Sequence, residues 1–257
     1  MDLRLDGKVA LITGGGRGIG RGIAERFAES GADLTIVYHN DQAGADEVVA
    51  YARSLGRKAL AIKADVGDHD QVSDLFAHHL ADFEQLDVLV NNAGIGGGGP
   101  LYKLPVETFD RVMKTNLYGP LYCAQIAAQR MIAQGNGGRI INITSVHEEA
   151  AFAGDGGYAA TKGGLKNLTR TLAAELGPFG ITVNAIGPGM SLTDMNSRAL
   201  ADKEYRDSAA AQIVMRRAGV PHDIGNMALF LASDAAAYCT GTTHFVDGGW
   251  LLTWPPV

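Results

Sequence analysis

Short β-branched apolar runs alternate along the chain with longer stretches in which apolar residues recur every three or four positions. The runs predict strands at 9–13, 34–38, 59–62, 88–91, 139–144, 182–186 and 244–246. Most are apolar almost throughout, the pattern of strands covered on both faces. Ile19, Ile23 and Phe27 predict a first helix stopped at Gly31, and Val48, Ala52 and Leu55 a second ended by Gly56. Val72, Leu75, Phe76 and His79 predict a third. Such alternation calls for parallel strand–helix–strand units in one open, doubly wound α/β sheet, with helices on both faces. No linker, composition break or internal repeat interrupts residues 1–257, which read as a single domain. The segment 190–217 is polar and too long for a plain connection, so it is expected to form a lid.

Composition narrows the function classes. Apolar residues make up 46% and charged residues 19% of 257, enough to bury a large core. The net charge of -6, with no Lys/Arg run longer than two, argues against nucleic acid as a partner. No apolar run is long enough to span a membrane, and residues 1–6 lack the apolar core of a secretory leader, so a cytoplasmic setting is expected. Cys123 and Cys239 fit neither a disulfide framework nor a metal-ligand spacing and read as buried small hydrophobes. His69, His78 and His79 do not converge on a metal, and none is expected.

Two local patterns carry chemistry. Val9–Thr13 runs into Gly14, Gly16, Arg17, Gly18, Ile19 and Gly20, a glycine-rich turn between a strand and a helix. Glycines let the backbone approach a ligand closely, and the free N–H groups of a helix start attract a pyrophosphate. The second pattern is Tyr158 and Lys162, four apart and so on one face if the stretch is helical. A nearby ammonium favours the phenolate, and a tuned phenol can exchange a proton with an alcohol or ketone oxygen. Ser145 stands at the carboxyl end of a predicted strand, where parallel sheets bind ligands, and Asn91-Asn92-Ala93-Gly94 closes another.

These pieces, together with Asp65, Asn116, Pro188-Gly189 and Asp247-Gly248-Gly249, resemble the short-chain dehydrogenase/reductase family over essentially the whole length. The resemblance implies a Rossmann-like sheet of about seven strands in a single dinucleotide-binding and catalytic domain. It implies Tyr158 as acid/base, Ser145 as partner of the reacting oxygen, Lys162 on the nicotinamide ribose, and Asn116 holding a water of the proton relay. Asp65 and Asn91 would contact the adenosine half of a dinucleotide and Thr193 the nicotinamide carboxamide, with Val66, Asn92, Ala93, Gly94, Pro188 and Gly189 also binding the cofactor. Ser191 departs from the Ile that many members carry. The resemblance also implies a homotetramer.

The second strand ends at Tyr38, followed by His39 and Asn40, with no carboxylate at the position that selects the ribose hydroxyls of NAD. Arg17 could pair with a 2′-phosphate, so NADP is expected to be preferred, with NAD possible; Asp41, one step on, argues the other way. His147 and Glu148, beside Ser145, suit a polyhydroxylated small-molecule substrate, with Gly96 a third contact. The tract around Ser145–Glu148 is similar to the glucose 1-dehydrogenase branch, while Ile95-Gly96 lacks that branch's acid. A 3-oxoacyl-(acyl-carrier-protein) reductase is the alternative within the family, weakened because Asn136 and Phe179 supply no basic docking patch. A non-catalytic NAD(P)-binding regulator is the alternative of another class. Trp250, Trp254, Pro255 and Pro256 form an apolar tail expected to pack on a neighbouring subunit.

Overall fold

A computed structural model describes residues 3–253. Seven parallel strands form one sheet in the order β3-β2-β1-β4-β5-β6-β7. They are β1 (Val9–Thr13), β2 (Asp33–Tyr38), β3 (Ala59–Lys63), β4 (Val88–Asn91), β5 (Gly138–Ile143), β6 (Ile181–Pro188) and β7 (Thr243–Val246). Each lies within two residues of its predicted position. The helices are α1 (Gly18–Glu29), α2 (Gln42–Ser54), α3 (His69–Phe83), α4 (Val106–Met113), α5 (Gly119–Gln134), α6 (Gly156–Leu176), α7 (Ser197–Ala201), α8 (Lys203–Ala210) and α9 (Pro221–Ala232).

The alternation of side chains along each strand divides the core in two. Ala10, Ile12, Ile36, Val90 and Ile143 face one layer, where Ile23 and Phe27 of α1, Val48 of α2 and Ile224 of α9 cover them. Leu11, Leu89, Ile140 and Val183 face the other, under Phe76 of α3, Met131 of α5 and Leu176 of α6. Burying one Leu- or Phe-sized side chain contributes about 2 kcal/mol, so these two layers dominate the stability. His79 belongs to the second layer: fully buried, it pairs Nδ1 with the Thr35 hydroxyl at 2.8 Å and Nε2 with the Gln85 carbonyl at 3.0 Å. Burial holds it down to about 4, so it stays neutral. Cys123 is buried and its thiol is pushed up to about 12, as suits an inert core residue. Among the described residues no helix is long and apolar enough to cross a membrane.

This topology places the site. The chain runs outward from β1 to β3, then returns to β4 on the other side of β1. The connections diverge at that point and leave a crevice at the carboxyl ends of the strands. Segments after β1, β4, β5 and β6 all open into it. The 190–217 segment carries α7 and α8 and is fixed at its base by a bridge between Ser191 and Gly219.

Candidate active site

The glycine-rich turn is tied to the neighbouring strand end. Thr13 Oγ1 accepts from the backbone N–H groups of Asn92 at 3.0 Å and Ala93 at 3.1 Å, and Asn92 Nδ2 donates to the Thr13 carbonyl at 2.9 Å. Gly14 and Gly18 have φ of 64° and 53°, which side-chain-bearing residues rarely adopt. A Cβ on Gly20 would lie 2.2 Å from the Gly14 carbonyl oxygen, so only glycine lets α1 start this close beneath the turn. Arg17, at the N-cap of α1, makes no side-chain cap. The first N–H groups of the helix are therefore uncapped beside a turn open to ligand, and the residues fit a pyrophosphate.

The surrounding residues divide unequally. Asp65 accepts from Gly67 N at 2.9 Å and orders the loop after β3, with Val66 buried beneath it. Tyr38 is half-buried, and His39 and Asn40 are exposed at the end of β2. Asp41 caps α2 by accepting from Gly44 N at 3.1 Å, so its carboxylate serves the helix. Asn91 was expected on the adenosine side. Its side chain is buried and donates to Asn142 Oδ1 at 2.9 Å, because neighbouring strand residues point to opposite faces. Arg17 lies 3.7 Å from Asp194, and both side chains are well exposed. A cavity of about 330 Å³ separates α1 from the 190–217 segment, lined in part by Gly18, Arg21, Glu25, Thr193 and His222. It borders the glycine turn at Gly18. On the far side Gly189 N donates to the Val246 carbonyl at 3.1 Å, which holds the end of β6 on β7.

Helix α6 delivers Tyr158 and Lys162 to one face, as their spacing requires. Lys162 is 4% exposed; its Nζ donates to the Ile143 carbonyl at 2.7 Å and lies 5.3 Å from the centre of the Tyr158 ring. Ser145 is 6% exposed and caps a short 3-10 turn, Val146–Glu148, accepting from His147 N at 3.2 Å. The Ser145 hydroxyl lies near enough to the Tyr158 phenol to favour its ionised form. Asn116 lies in a π-helical turn, Lys114–Tyr118, between α4 and α5. Such turns often mark functional sites. Its amide is fully committed: it donates to the Ile95 carbonyl and accepts from Ile95 N, both at 2.8 Å, and reaches Thr161 Oγ1 at 3.4 Å. These bonds lock the loop after β4 onto α6. A Cβ on Gly94 would lie 3.8 Å from Lys162 Nζ, so that loop borders the lysine.

The electrostatics depart from expectation. Burial pushes the Tyr158 phenol up to about 12; the nearby Ser145 hydroxyl works against this, and the Asp155 carboxylate adds to it. Burial also holds Lys162 down to about 8, with Glu148 pulling it back up. In the bare protein desolvation outweighs the lysine, whose ammonium is bound to a carbonyl and not to the phenol. The tyrosine is thus a protonated acid at neutral pH.

The substrate-side candidates separate as well. Gly96 has open space around its Cα. Glu148 was expected at the substrate, but both its carboxylate oxygens are buried near the Thr144 and Thr243 hydroxyls, and burial raises its pKa. Adjacent residues of a tight turn point in different directions, and this one points at β7 and α6. His147 does border the site: its ring stands edge-on to Tyr158, with centroids 6.2 Å apart. Trp250, the described part of the apolar tail, packs edge-on against His147 at 5.7 Å; Trp254, Pro255 and Pro256 lie outside the described residues. Phe152 and Asp155, which no local pattern marks in the sequence, join the same wall: Phe152 contacts His147 at 5.5 Å and Asp155 accepts from Gly97 N at 3.0 Å.

A family model described as enoyl-(acyl carrier protein) reductase matches residues 14–251. The chain is 39% identical over 245 residues to an L-rhamnose 1-dehydrogenase (NAD(P)(+)) of Sphingomonas sp. (strain SKA58), covering 95% of this chain and 96% of that protein. It is 42% identical over 242 residues to a 3-oxoacyl-(acyl-carrier-protein) reductase of Staphylococcus aureus (strain N315), covering 94% and 97%. Among solved structures, a gluconate 5-dehydrogenase from Burkholderia cenocepacia J2315 in complex with NADP and tartrate superposes with a TM-score of 0.91 at 37% identity, covering 98% of each chain.

Proposed function

The chain belongs to the short-chain dehydrogenase/reductase family, and from that premise we propose that it is an NAD(P)-dependent oxidoreductase acting on a secondary alcohol, ketone or sugar. The observation that carries this reading is the convergence of Ser145, Tyr158 and Lys162 at one strand end, beside a glycine turn built for a pyrophosphate.

The turn 14–20 and the uncapped start of α1 would hold the pyrophosphate, with Lys162 on the ribose and Thr193 and Gly189 at the carboxamide. A nicotinamide dinucleotide held by these residues would supply or accept the hydride. Tyr158 gives its proton to the carbonyl oxygen in reduction and takes it from the hydroxyl in oxidation. Ser145 donates a hydrogen bond to that oxygen as charge builds on it. Asn116 is a positioning residue, acting through Ile95 and Thr161. The 190–217 segment serves as a lid over bound ligands.

The preferred cofactor in this reading is NADP. No carboxylate is free at the end of β2, because Asp41 is engaged at its helix. Arg17 is free to exchange Asp194 for a 2′-phosphate, since an exposed pair of this kind contributes at most about 1 kcal/mol. Arg17→Ala is expected to weaken NADPH binding about tenfold, in line with one charge-assisted hydrogen bond, and to leave NADH unchanged. Fluorescence titration with both cofactors checks this; equal losses for the two would contradict it.

The sugar reading is placed ahead of the acyl-carrier reading because His147 offers a polar group next to Tyr158 while exposed Phe179 offers no cation to an acidic carrier. The expected assembly is a homotetramer in the cytoplasm. A spectrophotometric panel of aldoses, polyols, ketones and a carrier-linked 3-oxoacyl thioester, with both cofactors, tests the function. Aldoses or polyols should give the highest kcat/KM. Faster turnover of the thioester would reverse the order, and no turnover of any member would leave only cofactor binding.

A further inference from the structure

Asp155 stands at the N-cap of α6, one turn before Tyr158. An aspartate at such a place ordinarily accepts from the N–H groups of its own first turn. Asp41, Asp68 and Asp202 do so at α2, α3 and α8. Asp155 makes no such cap. Its Oδ1 accepts instead from Gly97 N at 3.0 Å, a bond between groups 58 residues apart in the chain. The helix forgoes a stabilising cap, and the bond made in its place joins two segments of the site.

The joined loop, 92–99 after β4, is held at three points. Asn116 fixes Ile95 through two bonds of 2.8 Å, Asp155 fixes Gly97, and the Gly154 carbonyl accepts from Gly99 N at 2.7 Å. A Cβ on Gly97 would lie 2.8 Å from Tyr158 N, closer than any side chain allows, so glycine is what lets the loop rest on this turn. Near its start, Gly94 borders Lys162 Nζ. The loop therefore lies along the Tyr158–Lys162 pair, and the Asp155 bond sets its register at the tyrosine.

The same residue brings a carboxylate to the turn that carries the phenol. The polar groups around Tyr158 are the Ser145 hydroxyl, the Lys162 ammonium 5.3 Å from the ring centre, the His147 imidazole edge-on at 6.2 Å, and Asp155. Glu148 acts on Lys162. Residues 92–99 bring no titratable side chain. Asp155 is thus the carboxylate that opposes a negative charge on the phenol.

We propose that Asp155 is a positioning residue for the reaction: it fastens the loop after β4 to the first turn of α6, and its charge sets the pH range over which the site oxidises an alcohol. This rests on the oxidoreductase reading above and deepens it. With the carboxylate in place the phenol keeps its proton for delivery to a carbonyl at neutral pH, and oxidation gains as the pH rises.

Asp155→Asn separates the two tasks, because its amide oxygen still accepts from Gly97 N while the charge is gone. Asp155→Ala removes both. Hydrogen exchange of the 92–99 amides reads the loop, and carbon-13 NMR of the tyrosine ζ carbon with NADP bound reads the phenol; neither needs turnover. In the asparagine variant loop exchange should match wild type, and the Tyr158 midpoint should fall by about 0.5 pH unit or more, the scale of one charge acting across a helical turn. The acid limb of kcat/KM for the fastest alcohol of the panel should move to lower pH with it. In the alanine variant the midpoint should fall alike, and loop exchange should quicken about tenfold, as for one lost hydrogen bond. A midpoint unmoved or raised in Asp155→Asn overturns the role of the charge, and loop exchange unmoved in Asp155→Ala overturns the fastening. Absence of turnover with every substrate and both cofactors would overturn the oxidoreductase reading, while the NMR and exchange comparisons still decide this proposal.

Discussion

Tyr158→Phe is expected to lower kcat by about 10³-fold, the scale of a lost general acid/base, while dinucleotide affinity stays within about twofold. The physical reasons for the split are local. Phenylalanine fills the volume of the tyrosine ring, so contacts with His147 and the Lys162 stem persist. Ser145 keeps a partner in His147 N, so no buried group is stranded. Only the group that moves the proton is lost. Steady-state kinetics with a fluorescence titration of NADPH checks both halves. Retention of more than about a tenth of wild-type kcat would assign the proton to another group.

Lys162→Met is expected to lower kcat about 10²-fold and to weaken the dinucleotide about tenfold, because the ammonium serves both the phenol and the ribose in this account. The methionine keeps the length of the stem but leaves the Ile143 carbonyl without its donor. The variant also has a distinct pH signature. Lys162 titrates at about 8 in the folded protein, below its ordinary 10.5. Between those values the unfolded chain binds more protons than the folded one, so wild-type stability rises with pH across that window. Below it the cost of burying the charge is present in full. The thermal midpoint of wild type should therefore gain on that of Lys162→Met between about pH 8 and 10. A constant difference would mean the lysine is not desolvated as the structure has it.

The sheet was legible because parallel strands covered on both faces leave near-continuous apolar runs, and every run at 9–13 through 244–246 became a strand. The Tyr158–Lys162 pair was legible because helical spacing alone puts both on one face. What escaped was direction within a turn or strand end. Asn91 and Asn92 are neighbours, yet one is buried between strands and the other ties down the glycine turn. His147 and Glu148 are neighbours, yet one borders Tyr158 and the other turns toward Thr243. Asp41 could be read as a ribose contact until its helix cap was seen. The aromatic wall was beyond local reading: it joins residues 147 and 152 to residue 250, and no periodicity links positions so far apart. The tyrosine's electrostatics escaped for a related reason, since spacing reports the nearby charge and not the burial that opposes it.

That opposition defines the central claim. A phenol at about 12 is ionised to only about one part in 10⁵ at pH 7, so alcohol oxidation requires the bound dinucleotide to bring it down. Carbon-13 NMR of protein labelled at the tyrosine ζ carbon follows each phenol directly, with the Tyr158 signal identified by its loss in Tyr158→Phe. The account predicts that this signal stays in the protonated position up to about pH 10 in the free protein and titrates well below the ordinary value of about 10 with NADP bound. A signal that remains protonated across that range in the complex would contradict it.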